Sequence, residues 1–197
     1  MRVGVLASGT GTILEALLGA GIDVAVVVVD RACRATEIAT AAGVAAATVE
    51  RTSFGKDFDR VAHTKEVVRV LQSHGADLVA IAGYGTILDA IMYDAFPDRV
   101  LNTHPSLLPA FKGWHAVEEA LTYGVKVTGC TVHIATADVD AGPILAQEAV
   151  AVLPDDTVEA LHERIKTVER RLYPDTILRY SEAAERRRST KPEPRET

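Results

Sequence analysis

The chain opens on Val3-Gly4-Val5-Leu6-Ala7, a strand-like apolar segment, followed by the glycine-rich turn Ser8-Gly9-Thr10-Gly11-Thr12. A helical pattern follows, and then Val24–Val29, six consecutive Ala and Val residues. A short run that is apolar at every position is typical of a parallel strand buried on both faces. A strand, a tight turn, a helix and a second buried strand predict a βαβ unit.

The same alternation continues along the first half of the chain. Further predicted strands are Ala45–Val49, Leu78–Ala82 and Val100–Thr103, and the predicted helices are Thr12–Ala20, Arg34–Ala42, Phe58–His74 and Thr86–Phe96. We therefore predict an α/β protein with a Rossmann-like open, mostly parallel sheet flanked by helices.

The second half has a different pattern. Trp114–Tyr123 is predicted as a helix, and Val125–Ile134 and Ile144–Val152 are two long strands joined by a compact loop, which predicts an antiparallel pair. A final helix carries one apolar stripe through Val158, Leu161, Ile165, Val168 and Leu172, and Asp156 with Glu159 predicts its cap.

The 197 residues fit one domain, 1–188, whose halves 1–100 and 101–188 differ in pattern, followed by a disordered polar tail (189–197). Hydrophobic residues make up 48% and charged residues 24%, which excludes wholesale disorder. The net charge of −6 argues against nucleic-acid binding, and no apolar run is long enough to cross a membrane.

Cysteine usage indicates a reducing compartment. Cys33 and Cys130 form neither a CxxC motif nor a metal-ligand spacing. The N-terminal segment lacks the features of a secretory signal. We expect a cytoplasmic protein, either monomeric or homodimeric.

The turn at Ser8–Thr12 is the first candidate site. Small residues and a helix N-terminus can bind a phosphate, but a βα turn without a ligand fits the motif equally well. A dinucleotide site is an alternative, with Asp30 as the ribose-binding acid, but Leu14 stands where the third glycine of that fingerprint belongs.

Asn102 and His104 are the second candidate, at the carboxyl end of a predicted strand where open α/β sheets bind ligands. Residues two apart on a strand share a side. An amide can stabilise an oxyanion and an imidazole can transfer a proton, although a structural Asn and a half-buried His remain an alternative.

An acidic loop is the third candidate, because a carboxylate near an imidazole stabilises its charged form. Asp138 and Asp140 are its acids, and an exposed turn is the competing interpretation.

His104, His115 and His133 match no short metal motif, so we predict no metal site and a packed or supporting role for His115 and His133. His63, His74 and His162 are predicted to be solvated on helices.

Three sequence blocks together resemble the phosphoribosylglycinamide formyltransferase family. They are Asn102–Gly113, Val127–His133 and Asp138–Gln147, and Glu163–Glu169 resembles the family's C-terminal helix. The resemblance runs from about Arg2 to about Leu178. It implies formyl transfer from 10-formyltetrahydrofolate to the amine of glycinamide ribonucleotide, with small-molecule substrates and no metal. It also implies that 1–100 is the phosphate-binding half and that 101–188 is the catalytic and folate half.

The resemblance also implies roles for single residues. Asn102, His104 and Asp140 correspond to the family's catalytic residues, which stabilise the oxyanion, transfer a proton and support the histidine. The implied ribonucleotide-binding residues are Gly11, Thr12, Ile13, Lys166 and Glu169. The implied folate-binding residues are Arg60, Gly85, Thr86, Ile87, Leu88, Asn102, Thr136, Ala137, Asp138, Val139 and Asp140.

The chain departs from the family pattern at two places. The family usually has Asn where this chain has Ile13, and Met-Arg where it has Gly85-Thr86. Loss of that arginine predicts weaker binding of the folate glutamate if its side chain holds that group, and no change if the contacts use the backbone.

Other functions remain open from the sequence. One is a different formyl-folate enzyme, such as a sugar-nucleotide or tRNA formyltransferase or a formyltetrahydrofolate hydrolase. The hydrolase has an extra domain before this one and the tRNA enzyme has one after it, so the sugar-nucleotide enzyme is the closer alternative. A silent nucleotide- or folate-binding module is another, and a dinucleotide-dependent oxidoreductase is the last.

Overall fold

A seven-stranded sheet forms the centre of the protein, in the order β3-β2-β1-β4-β5-β6-β7. The computed structural model describes residues 1–53 and 55–189. The strands are β1 (Val3–Ala7), β2 (Val24–Val29), β3 (Ala46–Thr48), β4 (Leu78–Ile81), β5 (Val100–His104), β6 (Val127–Ile134) and β7 (Ile144–Ala151). The helices are α1 (Thr12–Gly19), α2 (Arg34–Ala41), α3 (Arg60–Ser73), α4 (Ala90–Ala95), α5 (Ala116–Tyr123) and α6 (Val158–Ser189).

Strands β1 to β5 are parallel to one another, whereas β5–β6 and β6–β7 are antiparallel pairs. This confirms the predicted mostly parallel sheet with an antiparallel pair in the C-terminal half. Every residue of β1 and β2 is buried, as expected for strands covered on both faces. Strand β5 therefore lies where the parallel part of the sheet meets the antiparallel part. Strands from both halves of the chain form this one sheet.

Helices cover both faces of the sheet. On one face, Leu14 and Leu17 of α1 pack in a cluster with Tyr173 of α6. On the other, Val67 and Leu71 of α3 pack against Val28 of β2. The hydroxyl of Tyr173 donates to the carbonyl oxygen of Leu101 at 2.7 Å, which fixes α6 against β5.

The predicted helix Thr86–Phe96 is wrong in its first turn. Helix α4 begins only at Ala90, because the Asp89 side chain accepts a hydrogen bond from the backbone N–H of Ile91. The hydroxyl of Thr86 instead donates to Asp30, so residues 86–89 form an irregular segment beside β4. This segment carries several of the predicted folate-binding residues.

The long final helix confirms most of the predicted apolar stripe. Leu161 and Ile165 are fully buried, whereas Val158 is 37% exposed. The predicted cap is wrong, because the hydroxyl of Thr157 accepts from the backbone N–H of Ala160 and Asp156 binds Arg164 instead. Of the predicted disordered tail, Ser189 is the last residue of α6, and 190–197 lie outside the described residues.

Candidate active site

Strand β5 positions two of the predicted catalytic residues. Asn102 pairs with His133 of β6 and His104 pairs with Thr131, so both side chains emerge where the parallel and antiparallel parts of the sheet meet. Asn102 is half-buried and His104 is buried. Both line a cavity of about 400 Å³.

The His104 imidazole lies between two acceptors. Its Nδ1 is 3.3 Å from Oδ2 of Asp140, and its Nε2 is 2.7 Å from the carbonyl oxygen of Phe111. A doubly protonated ring can donate to both groups at once. The two contacts therefore fix the orientation of the ring at the cavity, where an imidazole can transfer a proton to or from a reacting group.

Asp140 is a buried carboxylate held by three groups. The backbone N–H of Gly113 donates to Oδ2 at 2.9 Å, and Oδ1 lies 3.5 Å from Nε2 of His133. Burial alone would raise the pKa of Asp140, but its contact with His133, the N–H of Gly113 and the nearby imidazoles lower it below its usual value. Asp140 is therefore ionised at neutral pH.

His133 orients Asn102. Its Nδ1 lies 3.0 Å from the carbonyl oxygen of Ile134, and its Nε2 lies 3.2 Å from Nδ2 of Asn102. If Nδ1 carries the proton and donates to Ile134, Nε2 accepts from the amide. The second amide hydrogen of Asn102 is then available to an oxyanion in the cavity. The supporting role predicted for His133 thus takes the form of contacts with two of the predicted catalytic residues, Asn102 and Asp140.

The cavity brings together most of the residues predicted for catalysis and for binding the two substrates. They are Gly11, Thr12, Ile13, Thr86, Ile87, Leu88, Asn102, His104, Thr136, Ala137, Val139, Asp140, Lys166 and Glu169. Arg60 and Gly85 line a second, adjacent cavity of about 280 Å³. Asp138 lines neither cavity, and its carbonyl oxygen accepts from the Thr136 hydroxyl at 3.0 Å within the loop.

Comparison of this chain with known proteins identifies its family. Residues 1–177 match the formyl transferase family. The chain belongs to the formyl transferase family.

Two curated relatives extend the match. A phosphoribosylglycinamide formyltransferase of Mycobacterium tuberculosis is 49% identical over 176 residues, which cover 87% of this chain and 80% of that protein. The trifunctional purine biosynthetic protein adenosine-3 of Gallus gallus is 40% identical over 90% of this chain, which corresponds to 18% of that longer protein.

Among solved structures, a glycinamide ribonucleotide transformylase from Symbiobacterium toebii has a TM-score of 0.87. It is 46% identical, and the match covers 93% of this chain and 88% of that one. Sequence and fold therefore agree that this chain is a formyl transferase, as the sequence resemblance predicted.

The glycine-rich turn of this formyl transferase leads directly into α1. Gly11 has a φ of 74°, a left-handed conformation, and a Cβ there would press on Ile38 and Ala35. Thr12 and Ile13 then begin the helix, whose N-terminal N–H groups attract an anion. Gly11, Thr12 and Ile13 share the catalytic cavity with Lys166.

Glu169 lies one turn beyond Lys166 on α6. Burial raises the pKa of its carboxyl, although a hydrogen bond from Thr103 and the charges of Lys166 and Arg170 act in the opposite direction. Thr103 itself contacts Cys130, with 3.3 Å between Oγ1 and Sγ. Sequence reasoning missed Thr103, because the alternation of β5 indicated only that it faces away from Asn102 and His104.

Asp30 is buried and hydrogen-bonded within the protein, whereas a ribose-binding acid would have to face a cavity. Its carboxylate is 1% exposed, accepts from Thr86 at 2.8 Å and from Arg31 at 3.0 and 3.2 Å, and lines neither cavity. A Cβ at Gly85 would come within 2.8 Å of Arg31. The departure at Gly85-Thr86 is therefore part of a polar network built around Asp30.

Three histidines differ from the sequence prediction. His115, predicted to have a packed or supporting role, has a side chain that is 74% exposed and lines neither cavity. His63 is 7% exposed rather than solvated, and its Nε2 lies 3.0 Å from the hydroxyl of Tyr84. His162 is half-buried and lines the catalytic cavity one helical turn before Lys166. Burial, together with the charge of Lys166, lowers the pKa of His162. The four-residue spacing from Lys166 is the signal that could have identified it.

Two negative observations concern the described residues alone. Among residues 1–53 and 55–189, no group of three or more His, Cys, Asp and Glu side chains is arranged to hold a metal ion. Within the same part of the chain, no helix has the length and apolar character needed to span a membrane.

Proposed function

We propose that this formyl transferase moves the formyl group of 10-formyltetrahydrofolate to the amine of N1-(5-phosphoribosyl)glycinamide, a step of purine biosynthesis. One observation carries the proposal: Asn102, His104 and Asp140 face the same cavity as the α1 turn and Lys166. An oxyanion-stabilising and proton-transferring group is thus combined with an anion-binding helix end. The names of the relatives agree with a glycinamide ribonucleotide acceptor and a transferred formyl group.

The chemical step begins when the amine nitrogen attacks the formyl carbon. The new C–N bond gives a tetrahedral intermediate whose oxygen carries negative charge. The amide of Asn102, oriented by His133 at 3.2 Å, donates a hydrogen bond to that oxygen. Because Asn102 is held before substrate arrives, its dipole needs little reorganisation in the transition state.

Collapse of the intermediate breaks the bond between the formyl carbon and the folate nitrogen N10. The amine loses one proton and the departing nitrogen gains one, so the proton balance closes without an external acid. His104 transfers this proton, and Asp140 at 3.3 Å stabilises the charged imidazole. Asp140 can do so at neutral pH because its pKa lies below its usual value.

The remaining predicted residues divide between the two substrates. The N–H groups of Gly11, Thr12 and Ile13 and the ammonium of Lys166 would bind the ribonucleotide phosphate. Glu169 would accept a hydrogen bond from the ribonucleotide and its amine. The loop from Thr136 to Asp140 and the irregular segment at 85–88 would border the folate. The cytoplasmic location and the monomeric or homodimeric state predicted from the sequence belong to the same proposal.

A single assay tests the proposal. The purified chain is mixed with 10-formyltetrahydrofolate, with and without glycinamide ribonucleotide, and loss of the formyl group from the folate is followed by absorbance. We expect ribonucleotide-dependent release that falls by a factor of about 10² to 10⁴ in His104→Ala. The matched control is His115→Ala, because the His115 side chain is 74% exposed and lies outside both cavities.

Three results would contradict the proposal. Release that does not need the ribonucleotide would indicate a hydrolase. Release that occurs only with an amino-sugar nucleotide would indicate a different acceptor. Binding of folate without any release would indicate a binding module.

A further inference from the structure

The second cavity has walls of an unusual composition. It shares Ile87 and Trp114 with the catalytic cavity, and its other walls are Arg51, Phe58, Arg60 and Gly85. It therefore combines two guanidinium groups with two aromatic side chains in about 280 Å³. The chain as a whole carries a net charge of −6, so this paired positive charge is a local feature.

Trp114 and Ile87 form the passage between the two cavities. The exposed fraction is 70% for Trp114 and 41% for Ile87. Because both side chains line both cavities, a ligand that extends from one cavity into the other passes beside them. An aromatic ring placed there would cover apolar surface that is now exposed to water. Trp114 also follows Gly113, whose N–H binds Asp140, so the passage adjoins the catalytic residues.

Arg51 is held in a defined direction. Its Nε donates to the carbonyl oxygen of Ser53 at 3.0 Å and its Nη1 donates to that of Gly85 at 3.2 Å. Its guanidinium carbon also lies 5.0 Å from the centre of the Phe58 ring, a cation–π distance. A guanidinium fixed in this way loses less conformational entropy when it binds a carboxylate.

The chemical groups of the formyl donor follow the same order as the side chains that line the two cavities. Its formyl-bearing nitrogen is attached to an aromatic ring, and that ring carries a glutamate with carboxylates beyond it. From Asp140 outward, the protein presents Trp114 and Ile87 and then the two arginines. The order of the chemical groups is thus matched from the reacting carbon to the end of the donor.

We infer that Trp114 and Arg51 are donor-binding residues of this chain, with Trp114 covering the aromatic ring and Arg51 binding a glutamate carboxylate. The inference rests on the proposed function, since it concerns the donor of that reaction. It also supplies a guanidinium at the folate tail where Gly85-Thr86 replaces the usual Met-Arg. Arg51 and Arg60 then bind the carboxylates together.

The test uses two donors that differ only in the glutamate. One is the formyl derivative of 5,8-dideazafolate, and the other is its counterpart that ends at the primary benzamide and therefore has no carboxylate. Binding is measured by calorimetry on the full chain, and KM and kcat are measured with glycinamide ribonucleotide. Arg51→Met should weaken binding of the glutamate-containing donor by about tenfold and leave the shorter donor unchanged, whereas Arg51→Lys should recover part of the loss.

Trp114→Ala should instead weaken both donors by about tenfold, because both contain the ring, and Trp114→Phe should restore most of the affinity. Arg69→Met is the matched control, since Arg69 is an exposed arginine of α3 that pairs with Glu66 outside both cavities. Its donor affinities should equal those of the parent chain. In all variants the effect should lie in KM, with kcat nearly unchanged.

The results separate this inference from the proposed function. If the parent chain binds neither donor and does not transfer the formyl group, the proposed function fails. If the parent chain is active but Arg51→Met weakens both donors equally, or weakens neither, the assignment of Arg51 is wrong. If Trp114→Ala leaves both affinities unchanged, the assignment of Trp114 is wrong.

Discussion

The Nδ1 atom of His104 lies 3.3 Å from Oδ2 of Asp140, although the two residues come from a strand and from a distant loop. The loop reaches this position because Asp140 adopts a φ of 51° and its carboxylate receives the N–H of Gly113. Asp and Asn tolerate this left-handed conformation better than most residues. The same residue thus supplies both the backbone bend and the charge.

Asp140→Asn should remove the charge but keep the bend. We expect formyl transfer to fall by a factor of about 10² or more, because the imidazolium of His104 loses its counter-ion. Structure should be retained, since Asn also accepts from Gly113. Steady-state kinetics with the near-ultraviolet circular dichroism spectrum would check both statements, and a variant of normal activity would contradict the role given to Asp140.

The pH dependence of stability gives a separate test of Asp140. A carboxyl whose pKa is lower in the folded state stabilises the fold above its unfolded pKa, about 3.9. That contribution is lost as the pH falls through the folded pKa. Urea unfolding should therefore show a parent chain more stable than Asp140→Asn at pH 7 and a smaller difference in strong acid. A difference that grows on acidification would contradict this sign.

Gly142→Ala should distort the loop that carries Asp140. A Cβ at Gly142 would overlap the carbonyl oxygen of Ile134, a backbone atom that cannot move without the strand. We expect the free energy of unfolding to fall by about 2 kcal/mol or more and formyl transfer to be lost.

Gly19→Ala is the matched control for Gly142→Ala. A Cβ at Gly19 meets nothing within 4 Å, and Gly19 is the last residue of α1. This change should make the protein more stable by up to about 1 kcal/mol. If urea unfolding gave the same change in free energy of unfolding for both substitutions, the close approach of Gly142 to the carbonyl oxygen of Ile134 would not affect stability.

Thr86→Val should weaken the irregular segment at 86–89, on the side of the cavity that we propose binds the folate. It removes the hydroxyl that donates to the buried Asp30 at 2.8 Å, at a cost of about 1 to 3 kcal/mol. KM for the formyl donor should rise more than KM for the ribonucleotide. Thr40→Val, which removes an exposed hydroxyl bonded to Thr36 on α2, should leave both constants unchanged.

The two cysteines should react at different rates with a thiol reagent. Burial raises the pKa of the Cys130 thiol to about 12, although the Thr103 hydroxyl acts in the opposite direction. Cys33 is only partly buried. We therefore expect one reactive thiol in the folded protein at neutral pH and two in urea. Cys33→Ser should abolish the native reaction, and a native signal that survives in this variant would contradict the burial of Cys130.

The order of strands and helices was predictable because the apolar runs of this chain differ clearly in period. Every residue of Val24–Val29 is apolar, which is typical of a strand that is buried on both faces, and the structure has that strand as β2. The start of α4 was not predictable in the same way. The segment at 86–89 has helical residues, but contacts of Thr86 with Asp30 and of Asp89 with Thr64 hold it in another conformation.

The places of the proposed catalytic residues were predictable to different degrees. The strand pattern placed Asn102 and His104 together at the carboxyl end of a strand, whereas Asp140 could be joined to them only by resemblance to a family. Contacts that depend on three-dimensional packing were missed, including those of His63 with Tyr84 and of Thr103 with Glu169. No local pattern indicates that a helical histidine faces a buried phenol rather than water.

The position of Trp114 has a practical consequence. It is the single tryptophan of the chain, and it lies at the passage between the two cavities with its side chain largely exposed. Indole emission depends on the polarity around the ring and is quenched by nearby aromatic absorbers. The fluorescence of the unlabelled protein should therefore change when the donor binds, and stopped-flow mixing could record that event before any formyl group is transferred.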